Sequence, residues 1–121
     1  VTLIDLGLQL LESTGIPRQK ALQAFMPLVN GTIKNIEKMG VPKALTGPIA
    51  RGDLVTVLKH LDSLTEMAPE LTSIYSLLGY YTLQVAKAKG TIDESVTENF
   101  KRVFMREMLG KSAVRSGGDS A

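Results

Sequence analysis

Apolar positions recur along this chain at helical spacing and never in sustained alternation, so the pattern predicts helices and no strand. Segment 1–14 keeps Thr2, Asp5, Gln9 and Glu12 on a narrow strip, while Leu3, Ile4, Leu6, Leu8, Leu10 and Leu11 cover the rest. So wide an apolar arc predicts burial on more than one side. It suits either a central core helix or a helix shared with a second subunit or another domain. Gly15 and Pro17 then give the usual punctuation of a helix end.

Segment 18–39 carries Leu22, Phe25, Val29, Ile33, Ile36 and Met39 close to one face. Pro27 and Gly31 interrupt it, but the period resumes beyond them, which predicts a kinked helix rather than two short ones. Residues 40–43 end that helix and lead into a loop over 44–53. In segment 54–67, Leu54, Val57, Leu58, Leu61 and Leu64 share a face, with Asp53, Thr56, His60 and Ser63 along its edge.

Pro69 opens a further helix through Lys89, with Leu71, Ile74, Leu78, Tyr81, Val85 and Ala88 as its stripe. On that reading Tyr75 and Tyr81 face the core and Tyr80 faces outward. Asp93 or Thr91 caps a last helix to about 109, striped by Val96, Phe100, Val103, Phe104 and Met108. Residues 110–121 keep no core-forming period and read as a flexible tail. The expected architecture is an all-α, bundle-like domain of five helices over 1–109, with a long kinked second helix.

Composition narrows the class without naming a function. A length of 121 residues with 44% apolar content suits one helical domain. Fourteen Lys and Arg against 12 Asp and Glu leave a net charge of +2, and the cations are scattered, so no nucleic-acid face is expected. There is no cysteine and one histidine, which leaves no donor set for a thiolate or histidine metal site. No membrane span or secretory leader is visible, which predicts a cytoplasmic protein. Val1 begins an apolar period with no capping residue ahead of it, predicting a partner domain upstream.

Chemistry concentrates in loop 44–53, Ala-Leu-Thr-Gly-Pro-Ile-Ala-Arg-Gly-Asp. Gly47-Pro48 fixes a turn, and Asp53 stands where an N-cap is wanted. Arg51 offers a fork of donors beside a helix N-terminus, and Thr46 adds a hydroxyl, a set that suits a small anionic substrate. Each also has a plain structural use: a cap for Asp53, an ion pair for Arg51, a turn for Thr46. His60 follows Asp53 by seven residues, about 10 Å along the helix axis, close enough to border the same cleft. His60 is the candidate acid or base, or else a hydrogen-bonded residue at the core margin. No nucleophile triad and no glycine-rich phosphate loop is present.

The string Thr46-Gly-Pro-x-x-Arg51-Gly-Asp53, followed by Val57-Leu-Lys-His60-Leu, carries a family resemblance. With Pro27-Leu-Val29 through Asn35-Ile36 before it and Tyr75-x-x-Leu78-Gly79 after, it resembles the C-terminal helical domain of Rossmann-like NAD(P)-dependent oxidoreductases. These are similar in layout to pyrroline-5-carboxylate reductase and the 6-phosphogluconate dehydrogenase group. The resemblance implies an upstream Rossmann-like domain that holds NADP or NAD, with no cofactor bound by this segment alone. It implies a homodimer formed by the helical domain, which also closes one side of the substrate cleft. Thr46, Arg51, Asp53 and His60 would then border that cleft. The Lys-x-x-x-Asn pair of the hydroxyacid dehydrogenase relatives is missing, so their mechanism does not transfer. The other reading is a non-catalytic helical module that makes a homodimer or another interaction.

Overall fold

The computed structural model describes residues 1–120, with side chains through Leu109. Among the described residues it is all-helical, with α1 at Thr2–Ser13, α2 at Arg18–Met39 and α3 at Val41–Ala44. There follow α4 at Leu54–Met67, a 3-10 turn at Pro69–Leu71, α5 at Thr72–Lys89 and α6 at Glu94–Ser120. The expected tail over 110–121 lies outside the fully described residues. The chain divides into two compact units, Val1–Ala44 and Leu45–Ala121.

The first unit is a hairpin of α1 and α2 with the short α3 at its end. Leu8 and Ala21 are its buried apolar residues, and the Phe25 ring lies against Gly7. A Cβ on Gly7 would stand 2.9 Å from Phe25 Cζ, so glycine allows the two helices to close up there. Arg18, at the start of α2, pairs back with Asp5 and, at 2.6 Å, with Glu12 of α1. These exposed ion pairs align the hairpin more than they stabilise it.

Helix α2 runs unbroken through Pro27. The two-sided burial expected for α1 is not found within the chain: Leu8 is buried, but Leu3 is exposed. The stripe of α2 is likewise mostly in the open, with Leu22, Ile33, Ile36 and Met39 exposed. Residues 41–44 form a helical turn where the sequence reads as loop. Pro42 is compatible with it because a first-turn N–H needs no intrahelical partner.

In the second unit, Val57 and Leu61 of α4, Leu83 of α5 and Phe100 and Phe104 of α6 form the core. Phe100 and Phe104 stack at 6.2 Å between ring centroids. The stripe expected for α6 therefore holds. That of α4 holds at Val57 and Leu61, with Leu54 and Leu64 partly buried, but not at Leu58, which is exposed. The stripe of α5 does not hold. Its buried residues are Thr72, Ser76, Gly79, Leu83 and Ala86, while Ile74, Leu77, Leu78 and Tyr81 are exposed. The small residues let α6 approach, because a ring of α6 occupies the space that a side chain at Gly79 would need. The tyrosine assignment changes with the stripe: Tyr75 and Tyr80 pack against the core, and Tyr81 is 64% exposed.

Candidate functional site

Loop 45–53 is wound tightly by its glycines. Gly47 and Gly52 sit at φ +99° and +70°, conformations that a side chain would strain. The Arg51 amide donates to Gly47 O at 3.2 Å, the Gly52 amide to Ile49 O at 3.1 Å, and the Asp53 amide to Pro48 O at 2.8 Å. The result is a compact knuckle that ends at the first turn of α4.

Asp53 is the N-cap that its position predicts. Its Oδ1 accepts from the Thr56 amide at 3.1 Å, and its Oδ2 accepts from the Thr56 hydroxyl at 2.7 Å. These two bonds hold its carboxyl below the ordinary carboxylate range, with a smaller contribution from Arg51. Arg51 Nη2 stands 3.6 Å from Asp53 Oδ2, and its side chain is 60% exposed. Asp53 is thus engaged by α4, and it steadies Arg51 from one side.

Two depressions adjoin the knuckle, and Thr46 lines both. The first, of 550 Å³, is bordered by Thr46, Gly47 and Arg51 from the loop, by Lys89 at the end of α5 and by Thr91 just beyond it. Lys89 Nζ donates to Leu45 O at 2.7 Å, which ties the end of α5 to the start of the loop. Two cations and two threonine hydroxyls on one open depression suit a carboxylate or phosphate. The second depression, of 280 Å³, is lined mainly by Pro48, Ile49, Leu78 and Gly79, with His60, Tyr75 and Thr82 as further polar lining.

The four residues singled out by sequence are thus divided. Thr46 borders both depressions, Arg51 the first and His60 the second. Asp53 lines neither, because its carboxylate is turned to Thr56 and Arg51. The exposed His60 ring meets Tyr75 edge-on, with Nδ1 2.9 Å from the phenolic oxygen and the ring planes 84° apart. Burial raises the Tyr75 phenol above its ordinary value.

Lys89, Thr91 and Tyr75 are not among the site residues that the sequence singles out; it reads Thr91 as a possible cap and Tyr75 as core-facing. For Tyr75 a signal existed. His60 and Tyr75 lie seven and eight residues on either side of Met67, where α4 ends, and a chain that doubles back there brings such positions together. Lys89 had no such signal: its place beside the loop depends on how α5 returns across the unit.

Among the described residues there is no group of three His, Cys, Asp or Glu able to hold a metal ion. No described helix is long and apolar enough to cross a membrane. The family described as a domain of unknown function, DUF2520, matches residues 1–82, and the chain belongs to it. No curated protein and no solved structure matches the chain.

Proposed function

We propose that this chain is the substrate-side and dimerisation domain of an NAD(P)-dependent oxidoreductase, with NADP or NAD held by a Rossmann-like domain of the same parent protein. The observation that carries this reading is the convergence of Arg51, Lys89, Thr46 and Thr91 on one depression. Such a set recognises a small anionic substrate, and the resemblance of the loop string supplies the reaction class. Asp53 acts here by fixing the knuckle and steadying Arg51, and His60 waits at the neighbouring depression as the acid or base. In this reading the strand–turn–helix cradle for the cofactor belongs to the Rossmann-like domain.

The test has two parts. Phosphate and small carboxylates are titrated against the chain and against Arg51→Ala, with binding followed by NMR. Reduced-cofactor binding and turnover are measured in the parent protein. Anion binding that weakens about tenfold or more in Arg51→Ala supports the site. A parent protein that binds no NAD(P) removes the oxidoreductase reading.

A second reading, a non-catalytic homodimerisation module, is favoured by the apolar surfaces of α2 and α5. Leu22, Ile33, Ile36 and Met39 on one helix, and Ile74, Leu77, Leu78 and Tyr81 on the other, are exposed. Both readings expect a dimer. Anion binding at Arg51 belongs only to the first.

A further inference from the structure

The second depression carries chemistry of a different kind from the first. Its surface is mainly apolar, from Pro48, Ile49 and Leu78, and its polar side is the His60–Tyr75 pair. A neutral phenol is the stronger hydrogen-bond donor of that pair, and an unprotonated imidazole nitrogen is the stronger acceptor. The bond therefore runs from Tyr75 O–H to His60 Nδ1 when the ring is neutral. That places the ring proton on Nε2, which makes His60 a donor at the edge of an apolar surface. Thr46 joins this depression to the one bordered by Arg51 and Lys89.

We infer that the two depressions are read by one molecule: an acid whose anionic end lies at Arg51 and Lys89, and whose apolar body lies on Ile49 and Leu78. A carbonyl between the acid and that body, at the wall where Thr46 joins the two depressions, accepts a hydrogen bond from His60. The substrate class is a 2-oxo acid, or a similar carbonyl acid, with an aromatic or branched apolar group. The inference rests on the reading of Arg51 as an anion site. Tyr75 is a positioning residue in it, acting through His60.

The single histidine makes the test direct, since a chain labelled with ¹⁵N-histidine gives one ring to follow. Three probes are titrated: phenylpyruvate, with acid, carbonyl and bulk; pyruvate, which lacks the bulk; and acetophenone, which lacks the acid. Phenylpyruvate is expected to bind about tenfold more tightly than either of the others and to shift the His60 ring nitrogens. Tyr75→Phe is expected to weaken phenylpyruvate and pyruvate alike, severalfold, because both carry the carbonyl that His60 meets, whereas Arg51→Ala weakens the two acids and leaves acetophenone unchanged.

If the acids depend on Arg51 but phenylpyruvate has no advantage, or leaves the His60 ring unmoved, this inference falls and the anion site stands. If acid binding ignores Arg51, the anion site falls and takes the inference with it. Failure of all three probes to bind overturns both. Circular dichroism of each variant confirms that the helices are intact.

Discussion

Phe104 presses the Cζ edge of its ring onto Gly79: a Cβ at that glycine would lie 2.5 Å from Phe104 Cζ and 2.7 Å from Cε1. The ring is fully buried and stacked on Phe100, so it has little room to give way. The α5–α6 contact is therefore set by the absence of a side chain at one position. Leu83, Val57 and Leu61 fill the core around it.

Gly79→Ala is consequently expected to destabilise the chain although alanine is the better helix former. Overpacking costs about 1–3 kcal/mol, while helix propensity returns roughly 1 kcal/mol. The net loss, up to about 2 kcal/mol, appears as a lower urea midpoint at unchanged slope. The double variant Gly79→Ala with Phe104→Leu should lose less than the sum of its parts, because the shorter side chain vacates the clash. Additive losses would mean that the ring is not the obstacle.

Ser76 lies one turn before Gly79 on the same buried face, and its hydroxyl is buried without a hydrogen-bond partner among the described residues. Replacing it by alanine removes an unsatisfied polar group and improves helix propensity. Ser76→Ala is expected to leave stability unchanged or raise it by about 1 kcal/mol. A clear loss in thermal unfolding would show that the hydroxyl has a partner in solution.

How much of this was legible in the sequence depends on what each face uses to pack. Helices α4 and α6 bury large apolar residues, Leu61, Phe100 and Phe104, so hydrophobic spacing pointed to their inner faces. Helix α5 buries Thr72, Ser76, Gly79 and Ala86, chosen for size rather than hydropathy, and a hydropathy stripe points to the opposite side. The caps Asp53 and Asp93 were readable because a capping bond is local: Asp93 Oδ1 accepts from the Val96 amide at 2.8 Å. The cation pair of the first depression was only half readable. Arg51 stands in the loop itself, whereas Lys89 reaches Leu45 from 44 residues away, and its charge also suits the end of its own helix.

The Asp53 cap gives stability a particular pH dependence. Its carboxyl titrates lower in the folded chain than in the unfolded one, chiefly through the Thr56 hydroxyl and amide. The contribution is therefore complete above the unfolded value near 4 and fades as pH falls through the folded value. Asp53→Ala should lower the urea midpoint at pH 7, and the gap from the unsubstituted chain should narrow steadily on acidification below pH 4. A gap that is the same at pH 7 and pH 2 would mean that the carboxylate charge plays no part in the cap.

At the other end of the scale, Tyr75 has the opposite sign. Burial raises its phenol above the ordinary value, so the folded chain holds the proton more tightly than the unfolded chain. Stability from this group is complete below about pH 10 and is lost as pH rises through the folded value. Tyr75 should be resistant to ionisation in an ultraviolet titration, and Tyr75→Phe should remove that late step. The same variant should also flatten the alkaline fall in stability. An unchanged late phase in Tyr75→Phe would assign it to another tyrosine.

The exposed row on α2 gives the proposed dimer its sharpest test. Ile33 and Ile36 are three residues apart on one face of the helix, both exposed, with Met39 continuing the row. Neither contributes to the buried core, so charges there should disturb association more than folding. Replacing both with glutamate places two carboxylates where the proposed interface would bury them, and an unpaired buried charge is strongly unfavourable. The dimer dissociation constant is expected to rise at least about a hundredfold, with far-ultraviolet circular dichroism preserved. Sedimentation equilibrium over a range of concentrations reads the change directly. A monomeric unsubstituted chain, or a dimer indifferent to both glutamates, would place the association surface elsewhere or remove it.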